Sequence, residues 1–386
     1  MTTLGVVAAG VFAAPGFAAD SSAPALPQPG DTTAVLAPLA PPADSSATQS
    51  GLAQALSGPL SVKALGPNAR VAVFDTDSGN LLYERSGSNP ATPASTNKLL
   101  TSAAVLSAYG ADYRIKTSVV QTSSPTDLVL VGGGDPLLRT TPAAPDESPA
   151  ASLTDLADQT ANALKAAASS GGETPTTLSA TVNFDDSLFT GPRTAPSWPS
   201  SYVTSKLVSP ITALMVNGGG GADPARTAAT TFVSLLKKRG IAVPAAPNRV
   251  TASSGATEVA SVNSSALSGV VTHTLTASDN TAAEMLGHLA GVKNGGGGSF
   301  EGGTVAVNRT LDELGIPTNG VRLYDGSGLS RDDQIPAQTI GQVLNKSATS
   351  NAQQLWPVIY GMPIAGFTGT LSNRFVLPAT KPGRGE

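Results

Sequence analysis

Ser95 and Lys98 stand three residues apart in the stretch Pro93-Ala94-Ser95-Thr96-Asn97-Lys98-Leu99-Leu100-Thr101-Ser102-Ala103-Ala104-Val105-Leu106. Leu99, Ala103 and Leu106 recur at helical spacing, as do Leu100 and Ala104, which predicts a helix with one buried face. Pro93 and Ser95 supply start signals for it. Residues three apart on a helix are surface neighbours, so Ser95 Oγ and Lys98 Nζ can approach each other. A serine hydroxyl is a weak nucleophile until a base takes its proton, and a lysine can do so once desolvation lowers its pKa. Alone, the same pattern also describes an exposed lysine beside a helix-capping serine.

A second polar triplet, Ser278-Asp279-Asn280, precedes Thr281-Ala282-Ala283-Glu284-Met285-Leu286. Thr281 and Glu284 match a capping box, so a helix is expected to begin there, with residues 278–280 in the loop before it. By itself the triplet is also what helix capping selects. Other routes to nucleophilic catalysis are poorly supplied. There is no cysteine, which excludes thiol nucleophiles, disulfides and lipid attachment through an N-terminal Cys. Two histidines, His273 and His288, are too few for a His-rich metal site, and no Gly-x-Ser-x-Gly elbow occurs. Serine chemistry here would more naturally use lysine, with no cofactor and no metal.

The elements that must position these groups follow from the rest of the 386 residues, enough for about two to three domains. With 23 Lys+Arg against 27 Asp+Glu, 4% aromatics and no basic patch, nucleic-acid binding has no support. Residues 4–19 form an apolar run interrupted by Pro15. It reads as a secretory h-region with a cleavage site near Ala18 or Ala19, hence export, although no basic residue precedes it; a plain apolar tail is the alternative. The run is short for a membrane span, which takes about 20 apolar residues. Residues 20–55, rich in Ala, Pro, Ser, Asp and Thr, read as a disordered linker.

Beyond the linker, Val71–Phe74 and Leu81–Tyr83 around Asp77-Ser78-Gly79-Asn80 predict a hairpin that feeds the Ser95 helix. Further strands are expected at Tyr113–Val120, Leu128–Val131, Ser179–Phe184, Ile241–Val243, Arg249–Ala252, Thr257–Val262 and Val321–Tyr324. Helices are expected at Leu153–Ala168, from Asp223-Pro224 through Arg239, and at Ser265–Thr276, Thr304–Leu314 and Pro336–Lys346. The run Gly132-Gly133-Gly134-Asp135-Pro136 lacks the Lys-Ser/Thr of a phosphate loop and reads as a tight turn, and Lys293–Gly303 as a glycine-rich loop. The elements alternate without a regular strand-helix-strand period, which predicts a mixed α/β (α+β) arrangement rather than a Rossmann fold.

Ser-x-x-Lys followed much later by Ser-Asp-Asn is more specific than either motif. The chain resembles the D-alanyl-D-alanine carboxypeptidase/endopeptidase family of class C low-molecular-mass penicillin-binding proteins, the S13 serine peptidases. The resemblance is carried by residues 94–106, 128–138, 209–219, 276–290, 323–331 and 363–375, and by the 182 residues between Ser95 and Ser278. It implies a penicillin-binding-protein/β-lactamase-like transpeptidase domain over residues 56–122 plus 263–386, with inserted domain material over 123–262. It further implies Ser95 as the acylated nucleophile, Lys98 as its base, Ser278 as proton relay to the leaving amine, and Asn280 orienting substrate amide and lysine. The implied partners are peptidoglycan stem peptides ending in D-Ala-D-Ala and β-lactam antibiotics.

One departure stands out. The family's third motif, Lys-Thr-Gly, is absent, and Phe367-Thr368-Gly369 carries phenylalanine in the lysine's place. In the family a stretch like residues 365–375 precedes that motif by roughly twenty residues, so the motif is expected just past Glu386. The expectation is therefore an exported serine carboxypeptidase whose chain here stops short of one motif. The alternative is a non-catalytic or degenerate wall-associated relative. A β-lactamase is a third reading, disfavoured because no Glu-x-x-x-Asn element supplies the glutamate its deacylation needs.

Overall fold

A computed structural model describes residues 48–144, 147–170 and 178–374. The apolar run at 4–19, most of the linker and residues 375–386 lie outside the described residues. The linker expectation fails at its end. Residues Gln49–Ser57 form helix α1, because Thr48 caps it by accepting from the Gly51 amide.

Strands β1 (Val71–Phe74) and β2 (Leu81–Arg85) pair as the expected antiparallel hairpin. Asp75 closes its turn by accepting from Ser78 N and Oγ. A short strand β3 (Pro90–Ala91) leads to a single 3-10 turn, Ala94–Thr96, and then to α2 (Asn97–Tyr109). From Asn97 to Leu106 every residue of α2 is buried. A helix buried on all sides is the centre of a core rather than its cover.

β4 (Arg114–Gln121) and β5 (Asp127–Val131) open a four-stranded sheet. The chain continues through α3 (Leu153–Ser170), β6 (Leu178–Ser179), β7 (Thr181–Asp185), α4 (Ser201–Thr204), α5 (Pro224–Lys238), β8 (Ile241–Ala242) and β9 (Thr257–Ala266). The sheet order is β7-β5-β4-β9, with β4 antiparallel to both neighbours and β5 parallel to β7. Ala225, Ala228, Ala229, Phe232 and Leu236 mark the buried stripe of α5. It packs on α3 over the sheet to make one hydrophobic core.

The chain then returns to α2. Helices α6 (Leu267–Thr276), α7 (Asn280–Lys293) and α8 (Phe300–Glu313), strand β10 (Ile335–Pro336), and α9 (Ala337–Ala348) and α10 (Trp356–Tyr360) follow. β10 pairs with β3, and the helices build a second core around α2. The two cores change over between Ile115 and Val119 and between Val262 and Leu267. Divisions at 122/123 and 262/263 cut the sheet, since the first parts β4 from its partner β5 and the second falls inside β9.

The mixed α/β class stands, and several elements differ from the sequence reading. β9 runs on to Ala266, so Ser265 is strand and α6 begins at Leu267. Arg249–Ala252 and Val321–Tyr324 are irregular, each contributing one isolated bridge. α8 begins at Phe300, capped by Ser299, and takes Gly302 and Gly303 into its first turn. Glycine disfavours a helix, but here the backbones of α7 and α8 come so close that a Cβ at Gly303 would lie 3.0 Å from Gly287. The close approach outweighs the propensity.

Candidate active site

Ser95 lies in the 3-10 turn that opens α2, and its side chain does not cap the helix. The turn is entered through Ala94 at φ 48, a left-handed conformation costly for any residue with a Cβ. It leaves the serine exposed while Lys98, one turn on, is 1% exposed. Lys98 Nζ donates to Ser95 Oγ at 3.2 Å, to Asn280 Oδ1 at 2.7 Å and to the Ser327 carbonyl at 2.8 Å. Burial pulls the lysine down to about 8, against the opposing pull of Glu284, Asp325 and Asp279. An amine poised there can be either acid or base near neutral pH.

Ser278 follows α6 at φ 54, again left-handed, and its Oγ donates to Ser95 Oγ at 2.9 Å. Asp279 is the N-cap of α7, accepting from Ala282 N at 3.0 Å. Asn280 is therefore the first residue of the helix and not part of the loop before it. Its Oδ1 meets Lys98 while its Nδ2 donates to the Leu207 carbonyl at 2.9 Å. The structure thus brings Ser95, Lys98, Ser278 and Asn280 into one hydrogen-bonded group. The capping box, by contrast, does not form. Thr281 Oγ1 accepts from Ser209 N, and Glu284 turns inward to accept from Gly326 N at 2.9 Å and Ser327 N at 2.7 Å.

A third segment completes the site, residues 325–330, which lie in the 323–331 stretch that carries the resemblance but have no role assigned there. Asp325 folds residues 325–330 around its carboxylate, accepting from Gly328 N, Ser330 N and Trp198 Nε1. Asn97 Nδ2 donates to the Asp325 carbonyl, and Thr101 Oγ1 donates to that of Gly326. Gly328 has φ 80, and a Cβ there would sit 1.9 Å from the Ala94 carbonyl oxygen. The alternation Asp-Gly-Ser-Gly was the available signal, since an Asp that caps its own turn and two glycines describe a tightly folded loop. Glu284, Asp325 and Asp333 share one buried space. Burial, reinforced by the Asp325 charge, pushes Glu284 up to about 8 and Asp333 up to about 9.

Two other sequence features resolve away from this chemistry. Phe367-Thr368-Gly369 is not a strand. Phe367 is exposed, and the turn packs against the end of α6, where a Cβ at Gly369 would lie 2.0 Å from the Thr276 carbonyl oxygen. The Gly132–Gly134 run is not the tight turn expected: it runs on from β5, Gly132 N donating to the Asp185 carbonyl and Gly134 N to that of Ala213, and the chain turns only after it, at Pro136 and Leu137. The run ends at Asp135, 2% exposed, whose Oδ1 accepts from Leu137 N and whose Oδ2 has no partner.

The chain has relatives among known proteins. Residues 52–221 and 220–385 match the model of the D-Ala-D-Ala carboxypeptidase 3 (S13) family. The chain is 34% identical over 391 residues to carboxypeptidase DacB of Mycolicibacterium smegmatis, covering 96% of this chain and 80% of that protein. It is 28% identical over 400 residues to the D-alanyl-D-alanine carboxypeptidase of Actinomadura sp., covering 80% and 70%. Its fold is similar to that of penicillin binding protein 4 (dacB) from Haemophilus influenzae, with a TM-score of 0.63 at 18% identity over 81% of this chain and 82% of the other. With a family match running through both cores and a relative 34% identical over 96% of this chain, the chain belongs to the S13 family of D-Ala-D-Ala carboxypeptidases.

Proposed function

We propose that the chain acts on peptidoglycan stem peptides through an acyl-enzyme on Ser95, removing a terminal D-Ala and, by the same chemistry, cleaving cross-link amides. One observation carries this reading: Ser95 Oγ is held between Lys98 Nζ and Ser278 Oγ, at 3.2 Å and 2.9 Å. In its neutral form Lys98 takes the Ser95 proton as Oγ adds to the carbonyl carbon of the penultimate D-Ala. The C–N bond then breaks as Ser278 gives its proton to the departing amine and takes in its place the one that Lys98 received from Ser95, so that Lys98 is neutral again. Asn280 holds Lys98 in place and is itself anchored on Leu207. Water releases the acyl group, returning the serine proton. A β-lactam acylates the same oxygen by opening its ring amide.

This reading places the protein outside the cytoplasm, where its substrate lies. Among the described residues no helix is long and apolar enough to cross a membrane. The test is intact mass after incubation with benzylpenicillin, followed by peptide mapping. The expected result is one adduct on the Ser95 peptide, absent in Ser95→Ala and slower to form in Ser278→Ala. An adduct retained by Ser95→Ala would overturn the assignment. No adduct on the wild type, together with no release of D-Ala from a peptide ending in D-Ala-D-Ala, would favour a non-catalytic wall protein.

A further inference from the structure

Glu284 is 1% exposed and shares its buried space with two other carboxyl groups, Asp325 and Asp333. Bringing a third acid into such a space is costly unless its contacts serve something. What Glu284 touches is specific. Its two oxygens take the amides of Gly326 and Ser327, and the carbonyl of that same Ser327 accepts from Lys98 Nζ at 2.8 Å. On the other side of the turn, Thr101 Oγ1 donates to the Gly326 carbonyl at 2.7 Å. The turn is clamped on both faces at the point where it meets the lysine.

We propose that Glu284 is a positioning residue for the lysine base, fixing the 326–327 peptide so that the Ser327 carbonyl holds Lys98 Nζ toward Ser95. This rests on the reading of Lys98 as the base. Glu284 also acts on Lys98 through charge, since a carboxylate nearby favours the ammonium form. The groups facing Lys98 are Ser95 on its own helix segment, Asn280, Glu284 and Asp279 from α7 and its cap, and Asp325 from the turn. Those facing Glu284 are Asp325 and Asp333, together with Lys98. Glu284, Asp325 and Asp279 are the carboxylates that oppose the loss of a proton from Lys98, and burial raises Glu284 as it raises Asp333, so the share of Glu284 grows as pH rises through about 8.

The test substitutes Glu284→Gln, which removes the charge and leaves one acceptor for two amides. The Lys98 Nζ titration is followed by NMR of lysine-labelled protein, its resonance identified with Lys98→Arg. The rate of benzylpenicillin acylation is followed against pH. In Glu284→Gln the Lys98 midpoint should fall by about half a unit or more, and the limiting acylation rate should fall about tenfold. Thr101→Val loosens the same turn without changing charge, so it should slow acylation and leave the midpoint in place. A Glu284→Gln protein with wild-type midpoint and wild-type rate, altered only in thermal stability, would overturn the proposal. Should Glu284→Gln not fold, Thr101→Val decides alone, and a wild-type acylation rate there would overturn it. A shifted midpoint in a protein whose wild type never acylates would remove the Ser95 reading and leave the hold of Glu284 on Lys98 standing.

Discussion

Ser95 Oγ accepts from Lys98 and from Ser278, so in the resting site both neighbours point a proton at it. The serine becomes a nucleophile when Lys98 gives up its extra proton and can accept one in turn. Burial has brought that event down to about 8. Acylation by benzylpenicillin is therefore expected to rise with pH and level off above about 8, because the neutral amine is the active form. A rate that falls over the same range would assign the base elsewhere. At this scale four residues were legible through the family resemblance, since each motif alone also fits helix capping, and the structure brings all four into one hydrogen-bonded group. The sequence was misleading for Glu284. A Thr-x-x-Glu pattern at a helix start serves capping or burial equally well, and only the turn at 325–328, more than forty positions away in the chain, decides between them.

The elements that set the site are short and tightly turned. The 325–330 turn and the 3-10 turn of Ser95 touch at Gly328, whose missing Cβ makes room for the Ala94 carbonyl. Gly328→Ala is expected to displace the nucleophile's turn and lower the acylation rate about a hundredfold while the protein stays folded; stopped-flow acylation with circular dichroism as control checks this. At the junction of the cores, Asp135 is pushed up to about 7 by burial, which the bond from Leu137 N only partly offsets. Between its unfolded pKa near 4 and that value, the folded state keeps a proton that the unfolded chain releases, so stability falls as pH rises through this window. Asp135→Asn should raise stability by about 1–3 kcal/mol at about pH 8 and by little at about pH 4, read from urea titrations. Helical and strand periodicity gave α2, α3, α5 and the hairpin. It could not give α8 its start, because Gly302 and Gly303 are there for their neighbours, the loop at Gly296–Gly297 and Gly287 of α7, rather than for their own helix.

Across the whole molecule the two cores divide the labour. One surrounds α2 and carries the nucleophile, and the other lies under α3 and α5. Trp198, which reaches Asp325, sits in a third apolar cluster with Met285 and Phe300, and the exposed Leu207 meets Asn280. We read the core under α3 and α5 as an insertion beginning near Arg114 and ending near Ala266, a span that keeps the sheet whole. Phe232→Ala, in the core under α5, should cost about 3–5 kcal/mol yet leave the acylation rate of the folded fraction unchanged. Leu100→Ala, on α2 beside Lys98, should cost about 2–5 kcal/mol and slow acylation as well. Rates measured below each variant's melting range separate the two. The boundary was not legible from the chain because β4 and β9 carry ordinary strand patterns that do not state which core their neighbours occupy.

The left-handed backbones at Ala94 and Ser278 set one further condition on how this protein can change. Both conformations are ones that glycine adopts freely and alanine or serine does not. A library sorted only for heat tolerance would therefore collect Ala94→Gly, which relieves the backbone at the entry to the nucleophile's turn. The same relief lets that turn wander. Durability and turnover part company at this residue, so an improved catalyst has to gain its robustness elsewhere, in the core under α5 rather than around Ser95.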